Sequence, residues 1–228
     1  MCGRYTLLVT LEELMLRYMI DGTIIPHHRP QYNIAPGQMV LAVISDGSRN
    51  RLGELKWGLI PPWVDDPKIG SKMLNARAET AAAKAAFAAP LRRKRCLIPA
   101  DGFYEWQKRE DGKQPMRIVL RSRSVFSMAG LYETWLSPAG EKISTCTVLT
   151  TRPNELMAPI HDRMPVILRP EDEALWLDRS VQRPEATRQL LIPYPAEEME
   201  AYAVSKEVGS VRNDSPACIE ALTEGPRP

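Results

Sequence analysis

The run from Cys96 to Thr151 does most to limit what this chain can fold into. Cys96–Pro99, Gly102–Lys108, Pro115–Leu120, Val125–Glu133 and Thr145–Thr151 all read as strands, rich in aromatic and β-branched residues. No long helical period interrupts them, and Asp111-Gly112 supplies the chemistry of a hairpin turn between the second and third. A β-rich core is therefore expected.

Regular elements flank this core. Arg4–Val9 reads as a short strand, Thr10-Leu11-Glu12-Glu13 matches a capping box, and Leu11, Leu14, Met15 and Tyr18 follow at helical spacing. Residues 21–38 read as a loop punctuated by Pro26, Pro30 and Pro36. Met39–Ser45 and Arg51–Trp57 read as strands joined by the turn Asp46-Gly47-Ser48, and the proline-rich Trp57–Trp63 run puts Trp63 in an exposed loop. Asn75 is the expected N-cap of an alanine-rich helix reaching about Phe87, and Arg92-Arg93-Lys94-Arg95 reads as a solvated basic face. Short helices are expected at Pro153–Met157, Glu171–Asp178 and Glu185–Leu191, with strands at Val166–Leu168 and Ala201–Val204 before a polar tail. With no internal repeat and no convincing linker, residues 1–228 read as a single domain.

Composition narrows the function classes. At 44% hydrophobic and 25% charged the chain is that of an ordinary globular protein, and a net charge of +2 permits a nucleic-acid partner without arguing for one. Cys2, Cys96, Cys146 and Cys218 form no C-x-x-C pair, and no histidine stands at metal-ligand spacing, so neither a metal site nor a disulfide framework is expected. No signal peptide opens the chain and no run approaches membrane-spanning length, which fits a cytoplasmic protein without a membrane partner.

The reactive feature is the opening Met1-Cys2-Gly3-Arg4. Removal of Met1 would leave Cys2 with two nucleophiles on adjacent carbons, an α-amine with a reference pKa of ~7.7–8.0 and a thiol near ~8.5. A 1,2-aminothiol condenses with an aldehyde to an imine, and the sulfur then closes a five-membered thiazolidine. It can also act as an acyl-transfer nucleophile with its own amine as base. Two further residues stand out. Glu105, among Phe103, Tyr104 and Trp106, sits either on a wet strand face or in a pocket that raises its pKa. His161 lies in a polar loop beside Asp162 and Arg163, a setting that suits a site residue.

Several stretches taken together resemble the SOS-response-associated peptidase (SRAP) family, whose members shield abasic sites in single-stranded DNA. They are Met1–Arg4, Tyr32-Asn33-Ile34-Ala35-Pro36, Trp57–Pro61, Asn75–Thr80, Cys96–Ala100 through Gly102–Trp106, and Ile160–Pro165, spanning residues 2–168 in the family's order, with a weaker echo at Val204-Ser205 and Asn213. The resemblance implies a single α+β domain with a mostly antiparallel, twisted, barrel-like β core and peripheral helices, the segment 169–228 adding helices, a short strand and a tail. It implies that Cys2 captures the C1′ aldehyde of a ring-opened abasic sugar as a covalent thiazolidine. Asn75 would orient Cys2 or the sugar, Glu105 would transfer protons, and His161 would assist ring opening. Arg4, Arg77 and Arg163 match phosphate-contact positions, Asn33 and Pro36 belong to a DNA-contact motif, and Trp63 matches an aromatic that packs on nucleotides beside the lesion. No cofactor is implied, and the expected partner is single-stranded DNA containing abasic sites, bound by a monomer associated with the nucleoid if the source is bacterial. Self-removal of Met1 and weak strand cleavage by β-elimination are further implications. Relatives often carry two adjacent tryptophans where this chain has Trp63-Val64.

Two rivals start from the same residues. An N-terminal-nucleophile amidohydrolase or cysteine peptidase would use Cys2 on an amide, with an asparagine at the oxyanion or with His161 and Glu105 as partners. A non-covalent single-stranded DNA-binding module would leave Cys2 incidental.

Overall fold

The computed structural model describes residues 2–222, so the processing expected at Met1 and the end of the tail lie outside it. The chain enters through β1 (Tyr5–Leu7) and turns into α1 (Leu11–Arg17). The capping box forms: the Thr10 hydroxyl accepts the Glu13 N–H at 3.2 Å, and the Glu13 carboxylate accepts the Thr10 N–H at 2.7 Å. Leu11 and Leu14 face the core. β2 (Gln31–Ile34) then appears inside the stretch read as plain loop, pairing antiparallel with β1 through Tyr5 and Ile34. β3 (Met39–Ser45) and β4 (Asn50–Trp57) make the expected hairpin, its turn fixed by the Asp46 carboxylate accepting the Ser48 and Arg49 N–H groups at 2.9 Å each.

The alanine-rich region departs from expectation. Asn75 is not a helix cap but the first residue of β5 (Asn75–Arg77), parallel to a strand more than seventy residues downstream in register Asn75 with Val148. Two helices follow instead of one, α2 (Ala78–Ala81) and α3 (Ala85–Arg93), neither with a side-chain cap.

The basic cluster also divides. Arg92 and Arg93 stay exposed, but Arg95 is buried and its guanidinium caps two helix ends, donating to Leu91 O and Arg92 O at 2.9 Å and to Trp176 O at 2.5 Å. A cation at those C-terminal carbonyls also opposes their dipoles.

β6 (Arg95–Ala100), β7 (Gly102–Arg109), β8 (Gly112–Leu120), β9 (Phe126–Leu136) and β10 (Lys142–Thr151) are the strands foreseen between 96 and 151. Five strands close a barrel in the order β10-β4-β3-β6-β9, with β9 hydrogen-bonded back to β10. Every seam is antiparallel except β10 with β4. Closure leaves no unpaired edge in this ring. The short strands β11 (Met164–Pro165) and β12 (Ile167–Leu168) add to β10 and β9. Beyond them come α4 (Pro170–Leu177), α5 (Pro184–Arg188) and β13 (Met199–Ala203).

A second, antiparallel sheet runs β13-β8-β7-β1-β2. Residues on one face, among them Tyr5, Leu7, Phe103 and Ile118, join those of the barrel in one apolar cluster, with Tyr5 edge-on to Trp57 at 5.5 Å and Phe103 edge-on to Phe126 at 6.5 Å, while Tyr104 packs in a second cluster with Val204, Val208 and Cys218. The result is the mixed α+β architecture, mostly antiparallel and barrel-centred, that the resemblance implied. The N-terminal strand is an inner member of the second sheet, so the residues before it are led into the protein.

Candidate functional site

Pairing with β7 fixes the course of the N-terminus. Tyr5 opposes Phe103, and the Tyr104 N–H donates to Arg4 O at 2.9 Å. Continuing that antiparallel count sets Gly3 and Cys2 alongside Glu105 and Trp106. Buried polar groups lock the strand in this register: the Thr6 hydroxyl donates to Asp101 at 2.5 Å, and Arg117 reaches both Thr6 (3.0 Å) and Asp101 (3.2 Å). Gly102 is required here, since a Cβ would stand 2.8 Å from the Arg117 Nε.

Cys2 is fully buried, and its sulfur accepts a hydrogen bond from the Arg4 N–H. Burial pushes the thiol pKa far above its ordinary value, and the Glu105 carboxylate pushes it the same way. The partly ionised thiol expected from a reference pKa is thus replaced by a neutral one that needs a base.

Glu105 is buried, not on a wet face. It is 2% exposed, and burial raises its pKa to about 7, with Asp162 adding repulsion. His161 Nε2 lies 3.8 Å from Glu105 Oε2. Burial lowers the histidine pKa, so the ring is neutral near pH 7. His161 Nδ1 lies 3.0 Å from the Arg163 amide nitrogen and 3.3 Å from the Arg163 carbonyl oxygen; with Nδ1 accepting the shorter contact, from an amide that can only donate, the ring proton is assigned to Nε2, facing the carboxyl. Asp162 Oδ1 is also 3.0 Å from Nδ1, but that side chain is 82% exposed and free to turn to water. The stretch before His161, expected as a short helix, is a turn, with Asn154 Oδ1 accepting the Met157 N–H at 2.9 Å.

Asn75 gains its position from the barrel. The preceding Leu74 carbonyl accepts the Trp57 indole N–H at 2.9 Å, and β5 lies along β10. The loop from Trp57 to Leu74 folds back because Gly58, at φ 132°, meets Gly70 so closely that a Cβ would be 2.7 Å from the Gly70 carbonyl oxygen. Asn75 Nδ2 is buried without a hydrogen-bond partner among the described residues.

The remaining candidates differ in how free they are. Trp63 is 58% exposed, on a loop tied down where the Trp135 indole donates to Val64 O at 2.7 Å. Arg77 is exposed, and Pro36 borders a pocket of about 320 Å³ that also touches Lys56, Trp57, Gly58 and Lys68. Arg4, Asn33 and Arg163, by contrast, are held by the protein. Arg4 donates to Asn33 Oδ1 (2.9 Å), Val208 O (2.8 Å) and Gly209 O (3.1 Å). Asn33 is 2% exposed, and its amide nitrogen serves the carbonyls of Val208, Ser210 and Asn213. Arg163 makes a two-pronged ion pair with Glu79. Glu79, Trp135 and the Asp101–Arg117 pair were given no role from sequence. Glu79 lies within a motif stretch, but nothing local tells that its partner is 84 residues away.

Among the described residues no group of three or more His, Cys, Asp or Glu side chains is placed to hold a metal ion, and no helix is long and apolar enough to cross a membrane.

Known proteins share this sequence and geometry. The chain is 53% identical over 225 residues to the abasic site processing protein YoqW of Bacillus subtilis, covering 97% of this chain and all of the relative. It is 31% identical to the abasic site processing protein YedK of Escherichia coli, with the same coverage. It is 36% identical to the chicken abasic site processing protein HMCES over 87% of this chain and 68% of the longer relative. A crystal structure of a protein from Bacteroides thetaiotaomicron superposes with a TM-score of 0.88 at 29% identity, covering 97% of this chain and all of the other. The family model described as SOS response associated peptidase matches residues 1–211, and the chain belongs to the SRAP family.

Proposed function

We propose that the protein captures abasic sites in single-stranded DNA, with Cys2 as the covalent nucleophile once Met1 is removed. What carries the reading is the pairing of an N-terminal cysteine with a buried carboxyl, Glu105, whose pKa is raised to about 7. The names of the relatives supply the lesion, and the chemistry of a 1,2-aminothiol supplies the reaction.

The Cys2 amine attacks C1′ of the open-chain sugar and, with loss of one water, forms the imine. The sulfur then bonds to C1′, the C=N π pair moves to nitrogen, and the proton lost by sulfur balances the one gained by nitrogen. A neutral buried thiol needs an acceptor for that proton. Glu105, poised near neutral pH, is the group suited to take and return it. His161, with its proton on Nε2, serves as a donor to the sugar oxygens during ring opening, and the unpartnered Asn75 amide donates to the lesion or to its adduct. Arg77 and Trp63 offer a phosphate contact and a stacking face. The imine also gives access to β-elimination, and removal of Met1 by the same cysteine belongs to the same proposal.

The test mixes purified protein with a single-stranded oligonucleotide carrying one abasic site and resolves the product on a denaturing gel and by intact mass. The expected adduct weighs the two components less one water, and it is absent with Cys2→Ala or with an undamaged strand. No adduct from protein shown by mass to lack Met1 would overturn the proposal and redirect the work to amide hydrolysis.

A further inference from the structure

Arg163 is the candidate phosphate contact with the least freedom, and the residue restraining it is acidic. Its Nη1 and Nη2 donate to Glu79 Oε1 and Oε2 at 2.9 Å each, the fork geometry in which guanidinium also grips phosphate. Nη2 also donates to Thr150 O at 2.6 Å. Nε is buried and has no partner among the described residues, so no ligand from solvent reaches it. One N–H of Nη1 is all that a DNA strand finds uncommitted. A two-pronged phosphate contact requires Glu79 to leave.

The surroundings make that departure feasible. Glu79 is 48% exposed, in the first turn of the short α2, whereas the Arg163 side chain is only 12% exposed and pinned by Thr150. The carboxylate is therefore the partner able to move. It borders a pocket of about 230 Å³ that Arg152 and Arg188 also line, with Arg77 close enough to influence its charge. A displaced carboxylate thus stays among cations.

We propose that Glu79 is a built-in competitor for the DNA phosphate on Arg163, a specificity residue that weakens non-covalent binding to undamaged strands. Each encounter with a strand must exchange a carboxylate for a phosphate on the same fork. An undamaged strand gains nothing further and leaves, while an abasic strand that enters in the same way is retained by the bond to Cys2. The carboxylate meanwhile keeps the guanidinium aligned in the free protein. This inference rests on the reading of Arg163 as a phosphate contact, and its test separates the two.

The experiment measures binding of a fluorescein-labelled, undamaged single-stranded oligonucleotide by anisotropy over a range of salt. The proteins are the parent, Glu79→Gln, Glu79→Asp, Arg163→Gln and Glu79→Gln/Arg163→Gln, each checked for folding by thermal melt. Glu79→Gln is expected to bind roughly threefold to tenfold more tightly with a salt slope close to the parent's, since both complexes hold the same phosphate on Arg163 and only the cost of displacing the carboxylate is gone. Glu79→Asp, whose shorter arm does not span the fork, moves the same way. The gain disappears in the double variant. Unchanged or weaker binding by Glu79→Gln and Glu79→Asp, while Arg163→Gln also binds weakly, overturns the competition and leaves Arg163 a phosphate contact. An Arg163→Gln protein that binds like the parent overturns the phosphate reading itself.

Discussion

His161 Nε2 faces Glu105 Oε2 across 3.8 Å, a neutral ring beside a carboxyl that titrates near neutrality. The distance is too long for a direct hydrogen bond, and a substrate oxygen set to one side of the pair would come within hydrogen-bond reach of both groups. The pair can thus hold a donor and an acceptor together near pH 7, the combination that ring opening and ring closure both need.

If Glu105 accepts the thiol proton, its ionised form is the active one. The rate of adduct formation should then rise with pH and level off above about 7, the pKa of the buried carboxyl. In Glu105→Gln the rate should fall by roughly 10²–10⁴-fold, the usual contribution of a positioned acid or base, and the inflection should vanish. Single-turnover rates from pH 5 to pH 9 decide it. An unchanged inflection in the variant would assign that titration to another group.

The same carboxyl should cost stability. Its folded pKa, about 7, lies well above the ordinary glutamate value, so the folded state resists ionisation that the unfolded chain accepts. The penalty is absent below the unfolded value, grows as pH rises from there, and is complete above the folded value. Glu105→Gln should therefore be more stable than the parent at pH 8, by an amount on the order of 3 kcal/mol, and show no such advantage near pH 4. Thermal melts at the two pH values measure the difference. A gain of equal size at both would mean that packing, not charge, is responsible.

These two residues also mark how far the sequence could be read. Glu105, amid its aromatics, and His161, in its polar loop, stood out from local context, and the strands from 96 to 151 showed their own pattern. Contacts across the sequence were illegible. Asn75 has the chemistry of a helix cap, and only β10, far along the chain, makes it a strand residue. β2 lay hidden in a proline-marked loop because β1 gives it shape. Arg95 looked like its solvated neighbours, but the carbonyl ends of two helices surround it. Closure of the barrel depends on β10 pairing with both β9 and β4, which no local window contains.

Trp63 is exposed on a loop held from below by Trp135, so its ring is presented at little cost in order. Trp63→Ala should leave the melting temperature within about 1 °C of the parent, since an exposed side chain contributes little to the core. It should weaken binding to single-stranded DNA by roughly 1–3 kcal/mol, the value of one base stacked on an aromatic. Anisotropy titrations at one fixed salt concentration test this. Unaltered affinity would show that no base rests on the ring.

Asn33 should act through the protein, not through DNA. Its amide nitrogen has two protons for three carbonyl acceptors, those of Val208, Ser210 and Asn213, and its oxygen accepts from Arg4. It therefore ties the segment around Lys206–Gly209 to the strand that carries Cys2. Asn33→Ala removes the donor from those carbonyls, of which Val208's is buried, and should cost about 1–3 kcal/mol of stability, read as a lower denaturant midpoint. Residues 205–219 should become the preferred site of limited proteolysis, and covalent capture should slow as Arg4 loses its anchor beside Cys2. A variant that lost DNA affinity with an unchanged midpoint and an unchanged cleavage pattern would return Asn33 to the DNA-contact role its motif suggested.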